Sequence, residues 1–404
     1  MDPLDILIDL EQLLPYYKPI IRADKQLISG YEVIAYFLDE NGRKQRLDWL
    51  FDDTSIPDEF RLEVNQYIHQ KAIEKKLQEN YPGYLSFYYD AELLVRDNGE
   101  TFINLLHDYQ ENGLDLNKII LEIKDICLTG NMDQLNHIIK YLKTLGVKIS
   151  IELAYPNGSL NQLAILHPSF IKVDTSFLKD DFLPHLYKDV YFGVSMLSRK
   201  IGASLLFKGI RSYNQLNFAW KSGGEYYQGS YLTSPQQEFI EEGCCKSKLT
   251  EYFREFVTYE QQKAKAQFEL LDLVHGTING LLSQVRPGND DAWLLKLAKG
   301  CEDFVFRIYI CNSVGLQVSA NVEKDSQGNW ILLQEGMHKN WSWRPYFFEN
   351  IMRMNIEKKG ILSDLYTDIE RSELIRTYAY PLSHQRYIFF DIPYSYLIEK
   401  EGLL

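Results

Sequence analysis

Hydrophobic positions follow two rhythms along the chain. Between Tyr16 and about Gln228, short apolar runs alternate with longer stretches in which apolar residues recur every three or four positions. That alternation predicts strands separated by helices, the pattern of a sheet with helices packed outside it. The runs YYKPIIR (16–22), GYEVIAY (30–36), LSFYY (85–89), KIILEI (118–123), VKISIEL (147–153), FIKVD (170–174), ASLLF (203–207) and EYYQG (225–229) read as strands. Segments such as EFRLEVNQYIHQKAIEKKL and MDQLNHIIKYLKTLG supply the helices. Eight strands in somewhat over 200 residues fit a (β/α)8 TIM-type barrel of parallel strands better than an open doubly wound sheet. No GxGxxG and no GxxxxGKS/T follows a strand, which removes the usual phosphate loops.

Beyond Pro235 the rhythm changes. Residues 246–285 carry no proline and space Leu249, Phe253, Phe256, Phe268, Leu271, Ile278 and Leu282 as a helix would, predicting one long connecting helix. Arg286-Pro-Gly-Asn-Asp breaks it, and DFVFRIYICN, GLQVSANVEK, NWILLQ, LIRTYAYPL and QRYIFFDI then predict an antiparallel sheet with a few helices. The expected organisation is a barrel over 1–245, a connecting helix over 246–285 and an α+β domain over 286–404.

The strand GYEVIAYF holds one acid, Glu32, among apolar and aromatic residues. A carboxylate placed there needs a cation, a metal or hydrogen-bond donors, because burying it alone is costly. Barrel active sites gather at the C-terminal ends of the strands, where this sequence places Glu32, Tyr88, Glu122, Glu152, Lys172, Asp174 and Lys208. Carboxylates from several strands with a nearby lysine have two readings. One is a hard-oxygen site for Mg²⁺ or Mn²⁺ in which Lys172 holds or deprotonates a water; the other is a structural cluster of ion pairs.

Composition narrows the partners. Aromatic residues make up 14% of the chain, led by 28 Tyr and 21 Phe, which favours sheet-rich cores or aromatic-lined pockets. A formal charge of −13 argues against broad binding to DNA, RNA or anionic lipid, while leaving room for a local basic pocket. The N-terminal stretch has acids among its apolar residues and no basic leader, and no later run approaches a membrane span, so a cytoplasmic location is expected. Cys127, Cys244, Cys245, Cys301 and Cys311 show neither CxxC spacing nor nearby histidine pairs, so reduced thiols are expected and zinc is not.

The segments YYKPII, GYEVIAYF, LEIKD, VKISIE, FIKVD, LFKGIR and YYQGSYLTSP, in this order and spacing, resemble the bacterial EAL domain over residues 1 to about 240. Active members of that family hydrolyse cyclic di-GMP to a linear dinucleotide with a pair of divalent cations. The resemblance matches Glu32, Glu122, Glu152, Lys172 and Asp174 to the family's site. It also exposes departures: Tyr36 stands where an arginine grips a ligand phosphate, Tyr88 where an Asn ligand is usual, Leu153 where a second Asp of a loop motif stands, and Lys208 and Arg211 where two glutamates stand. Lys18 replaces a glutamine. A site that exchanges carboxylates for an ammonium no longer suits two divalent ions. A catalytically inactive barrel is therefore expected, one that dimerises or binds a protein partner, with no cofactor. The alternatives are a non-hydrolytic cyclic di-GMP receptor, whose binding the loss of the arginine makes doubtful, and a weak Mg²⁺- or Mn²⁺-dependent phosphodiesterase.

The tail, with WSWRPYFFENI, SDLYTD, RTYAYP and FFDIPYSYL, resembles PAS-like Cache sensor domains. That resemblance implies a small-molecule pocket in which Arg344, Tyr346 and Tyr366 take a carboxylate and Asp391 takes an amine. A structural Arg344–Asp391 pair inside an aromatic core is the other reading.

Overall fold

The computed structural model describes the chain except residues 1–5, 7–8, 40–41, 54, 125–130, 154–159, 179–184, 285–289, 345–346, 383–384 and 402–404. Two compact units follow one another, Met1–Arg254 and Glu255–Leu404.

The first unit is a closed eight-stranded barrel with a short extra strand. Its strands are β1 Leu13–Arg22, β2 Leu27–Leu38, β4 Tyr84–Asp90, β5 Ile119–Lys124, β6 Lys148–Leu153, β7 Phe170–Asp174, β8 Ser204–Lys208 and β9 Tyr226–Tyr227, and β3, Lys44–Arg46, extends β2 at the rim. The sheet runs β1-β9-β8-β7-β6-β5-β4-β2-β3, and pairing of β1 with β2 closes it. Helices such as Asp58–Gln78 and Met132–Thr144 join the strands. From β2 to β9 the barrel neighbours are parallel, as the sequence predicts, but β1 is antiparallel to both β2 and β9. The reason lies in the connection: only Ala23–Gln26 separate β1 from β2, far too few residues for a parallel crossover.

Alternation along the strands sets two layers inside the barrel. Ile20, Ile120, Phe170, Leu206 and Tyr226 form a buried apolar plug. Side chains repeat their direction every second residue, so the next inward positions are Glu122 after Ile120, Lys172 after Phe170 and Lys208 after Leu206. Because β1 runs the other way, its contribution to that layer is Lys18, two residues before Ile20. In β2, Gly30 admits β4: a Cβ there would lie 2.6 Å from the Tyr84 carbonyl oxygen. Two residues on from that close crossing comes Glu32.

The second unit holds a seven-stranded sheet, every pairing antiparallel. Its order is β12 (Trp330–Leu333), β11 (Asn321–Lys324), β10 (Arg307–Asn312), β16 (Arg386–Pro393), β15 (Leu374–Pro381) and β13 (Ile361–Leu362), with β14 (Tyr366–Thr367) also on β15. Leu270, Val274 and Ile278 of the helix Lys246–Gln284 pack with Trp293, Leu294 and Leu297 and the sheet residues Ile308, Ile388 and Phe390 in its main core. The boundary between the units falls inside that 39-residue helix, not at either of its ends. Among the described residues no helix is long and apolar enough to cross a membrane.

Candidate functional site

Above the apolar plug the barrel carries a layer of charges. Lys172 Nζ donates to Glu32 Oε2 at 2.7 Å and to both carboxylate oxygens of Glu122 at 2.7 Å, and its side chain is 1% exposed. Ser86 Oγ adds a 3.2 Å bond to Glu122. Lys18 Nζ lies 3.6 Å from Glu32, its partner in the β1–β2 register. On the other side, Lys208 Nζ is 2.6 Å from Glu152 and 3.7 Å from Asp174, whose carboxylate also accepts the Ser176 backbone N–H at 2.8 Å. Three ammonium groups thus stand among four carboxylates.

The protonation states follow from this pairing. Burial alone would raise the Glu32 pKa, but Lys172, Lys18 and Lys208 hold it well below the ordinary value. Burial likewise works against the charged form of Lys172, and Glu122 and Glu32 overcome it, pushing its pKa above the ordinary lysine value. In this arrangement the two glutamates hold Lys172 as an ammonium. Glu152 is raised by burial that Lys208 does not fully offset. For Lys18, burial and the neighbouring ammonium of Lys172 outweigh Glu32 and lower the pKa.

The remaining candidates are placed around this layer. Tyr36 packs its ring 4.4 Å from Tyr16, and Tyr88 lines the open end of the barrel. Leu153 ends β6 beside Val173, in a position that offers no ligand oxygen. Arg211 is exposed, outside the pocket lining, with its backbone N–H donating to Gln215.

Two residues were missed by sequence reasoning. Arg46, on β3, is registered opposite Tyr36 and, with Tyr88, lines the open end of the barrel, a pocket with about 740 Å³ of unfilled space including solvent at its mouth. The signal was weak, since KQR is a polar tripeptide without strand character. His69 also lines the pocket; it is buried against Phe87, ring centroids 4.5 Å apart, and among the described residues its Nδ1 has no hydrogen-bond partner. Burial pulls its pKa down to about 3, so it is neutral.

Glu32, Glu122 and Glu152 are hard oxygen donors of the type that suit Mg²⁺, Mn²⁺ or Ca²⁺. Each is already within 2.7 Å of a lysine nitrogen, Leu153 offers no oxygen and Lys208 brings an ammonium. This donor set does not fit a pair of divalent cations, because two ions would need more carboxylates and the ammonium groups repel them.

In the second unit, Arg344 lies over the rings of Trp341 and Tyr366, 4.5 and 5.2 Å from their centroids, and beside a cavity that Tyr366 also lines. Tyr346 lies outside the described residues. Asp391 departs from both sequence readings. It is wholly buried, 2.7 Å from Arg307 Nε, and accepts a 2.6 Å bond from Thr377 Oγ1. Arg307, a buried arginine at the start of β10, also reaches Asp368 at 2.6 Å and Glu370 at 2.9 Å, so it, and not Arg344, is the partner of Asp391.

Residues 3–235 match the EAL domain, and residues 239–404 match the EAL-domain associated signalling protein domain. The chain belongs to the EAL-domain family. Its full length is 40% identical, over 408 residues and the whole of the relative, to the uncharacterized EAL-domain containing protein YkuI of Bacillus subtilis (strain 168). The crystal structure of B. subtilis YkuI, in complex with substrate c-di-GMP and calcium, superposes with a TM-score of 0.93 at 39% identity, covering 98% of this chain and 100% of that one. The FimX EAL domain from Pseudomonas aeruginosa, bound to c-di-GMP, shares the barrel fold at a TM-score of 0.52 and 19% identity, over 60% of this chain and 100% of that one.

Proposed function

We propose that this EAL-domain signalling protein binds cyclic di-GMP at the open end of its barrel without hydrolysing it, and that its C-terminal unit is the part that takes a small ligand. The observation that carries the first half is the engagement of Glu32, Glu122 and Glu152 by Lys172 and Lys208. Acids neutralised by fixed lysines are poor ligands for a metal pair. No cofactor is needed for this function.

Binding is supported by the full-length relative crystallised with c-di-GMP and calcium. The expectation of a partner-binding scaffold rested on Tyr36 in place of an arginine. Arg46, registered opposite Tyr36 and lining the pocket, supplies a guanidinium within the same few residues of sheet and answers that objection.

Calorimetry with cyclic di-GMP, alone and with Mn²⁺ or Ca²⁺, combined with chromatography of the mixture, tests the proposal. Micromolar binding with intact nucleotide supports it. Accumulation of linear dinucleotide would make the protein an enzyme, and absence of binding would return the barrel to the scaffold reading.

A further inference from the structure

We propose that Cys244 and Cys245, at the turn that opens the helix Lys246–Gln284, form a chelating dithiol site for a trivalent arsenical, a thiol-seeking centre that carries one ligand of its own. Neither cysteine lines the barrel pocket or the cavity of the second unit. The site is therefore independent of the nucleotide reading.

The two sulfurs stand 3.6 Å apart. Two sulfurs bonded to one centre at about 2.3 Å, with an angle of roughly 100–110°, are about 3.5–3.8 Å apart, so this pair already has the span of a chelate. A disulfide is the poorer fit. Neighbouring Cα atoms are about 3.8 Å apart across a trans peptide, below the roughly 4.4–6.8 Å that disulfides bridge, and closure would distort the turn.

Backbone hydrogen bonds hold the turn in place. Ile28, on β2, donates its N–H to the Glu242 carbonyl at 2.9 Å, Cys244 donates to Glu241 at 3.2 Å, and Lys246 donates to Gly243 at 2.9 Å. The Cys245 carbonyl accepts the Leu249 N–H at 3.0 Å in the first turn of the helix. A pair already fixed in this way loses little freedom when a ring closes on it. Cys244 is exposed and Cys245 is buried. A reagent thus meets Cys244 first, and the second bond then forms within one molecule.

The number of donors selects the ligand. Among the described residues no group of three or more His, Cys, Asp or Glu side chains is placed to hold a metal ion. Zinc, which takes four ligands, is poorly served by two thiols. Trivalent arsenic is soft, and two sulfurs complete it when its third bond goes to an organic group. With an arylarsenic oxide the reaction balances without a redox step: two As–S bonds form, the arsenic–oxygen bond breaks, and the oxygen leaves as water with both thiol hydrogens. Burial pushes the Cys245 thiol up to about 12 and so disfavours its free thiolate. The product is neutral and its hydrogen has left as water, so that burial does not oppose the adduct. The contact that Cys245 Sγ gives up, 3.4 Å to the Leu232 carbonyl, is a weak one.

Intact-mass spectrometry of the reduced full chain, treated with one equivalent of phenylarsine oxide, tests this. The expected product is one adduct per chain that persists in about a hundredfold excess of mercaptoethanol and is released by dimercaptopropanol, because a ring resists a competing monothiol. Peptide mapping should place the arsenic on the peptide that carries both cysteines. Cys244→Ser and Cys245→Ser should each lower retention of the adduct at least about tenfold, with circular dichroism confirming that each variant is folded. Cys127→Ser and Cys301→Ala should leave it unchanged. An adduct stripped by mercaptoethanol, or one retained undiminished in either folded serine variant, would overturn the proposal. So would spontaneous closure of a Cys244–Cys245 disulfide that leaves the arsenical nothing to bind.

Discussion

Tyr36 and Arg46 are paired across the β2–β3 edge at the open end of the barrel, and of the two it is Arg46 that lines the pocket and carries the charge. Its Nε is 2.7 Å from Asp48, a half-exposed ion pair that constrains the guanidinium only weakly. Arg46→Ala is expected to weaken cyclic di-GMP binding about tenfold, the value of a charge-assisted contact to phosphate, with Arg46→Lys between the two. Unchanged affinity in Arg46→Ala by calorimetry would remove this residue from the nucleotide site.

Lys172 is the sole direct ammonium contact of Glu122 among the described pairs and the nearest to Glu32. Lys172→Met should cost about 3–5 kcal/mol of stability, since two buried carboxylates lose their counter-charge. Adding Glu32→Gln and Glu122→Gln to the same chain should recover most of that loss. Urea denaturation of the three proteins checks both steps, and a neutral Lys172→Met would show that the ion pairs do not stabilise the barrel.

Charge reversal at Lys208 addresses the metal question. Lys208→Glu together with Leu153→Asp places two more carboxylates beside Glu152 and Asp174, and that cluster is expected to need a cation. Without nucleotide, Mn²⁺ should leave the Tm of the unaltered protein unchanged and raise that of the double variant by at least about 3 °C. An equal response in both proteins would contradict the conclusion that Lys208 excludes the ion.

His69 predicts an acid sensitivity that is independent of those acids. Its pKa is about 3 in the fold against an ordinary 6.5, so the unfolded chain binds the proton first. The stability this histidine contributes is complete above pH 6.5 and is lost as pH falls from 6.5 toward 3. Between pH 6.5 and 5 the loss should reach about 2 kcal/mol, at about 1.4 kcal/mol per pH unit. His69→Phe, which fits a site already lined by Phe87, Tyr89 and Phe102, should flatten that stretch of the stability profile. A profile unaltered by the substitution would assign the acid sensitivity elsewhere.

The barrel was legible because buried strands read as continuous apolar runs; FIKVD at 170–174 coincides with β7 residue for residue. The charges within those runs were legible as a group, since a polar residue inside an apolar strand needs a partner. Which partner it has depends on register and direction, which no local pattern carries. Lys18 meets Glu32 only because β1 turns back in a hairpin, although the short gap between the first two apolar runs already hinted at it. Arg46 sits on a strand with no apolar residue at all. In the second unit, Arg307 inside DFVFRIYICN carried the same signal as Glu32 inside GYEVIAYF, a charge within an apolar run. It is the residue that claims Asp391.

The reversed first strand also governs when the barrel can form during synthesis. β1 is joined to β2 at once, yet its other edge must wait for β9, where Ile21 meets Tyr227 and Arg22 meets Tyr226. At ribosomal speeds that wait lasts roughly 10–40 s, during which one flank of a strongly apolar hairpin stands open to other chains. Tyr17 exchanges both backbone hydrogen bonds with Gln236 on that flank, so Pro15 and Pro19, two residues to either side, turn their nitrogens the same way. Lacking N–H groups, these prolines deny a stray strand two of the donors it would need to dock there. The strand that closes the barrel thus carries its own protection against premature pairing while the nascent chain is incomplete.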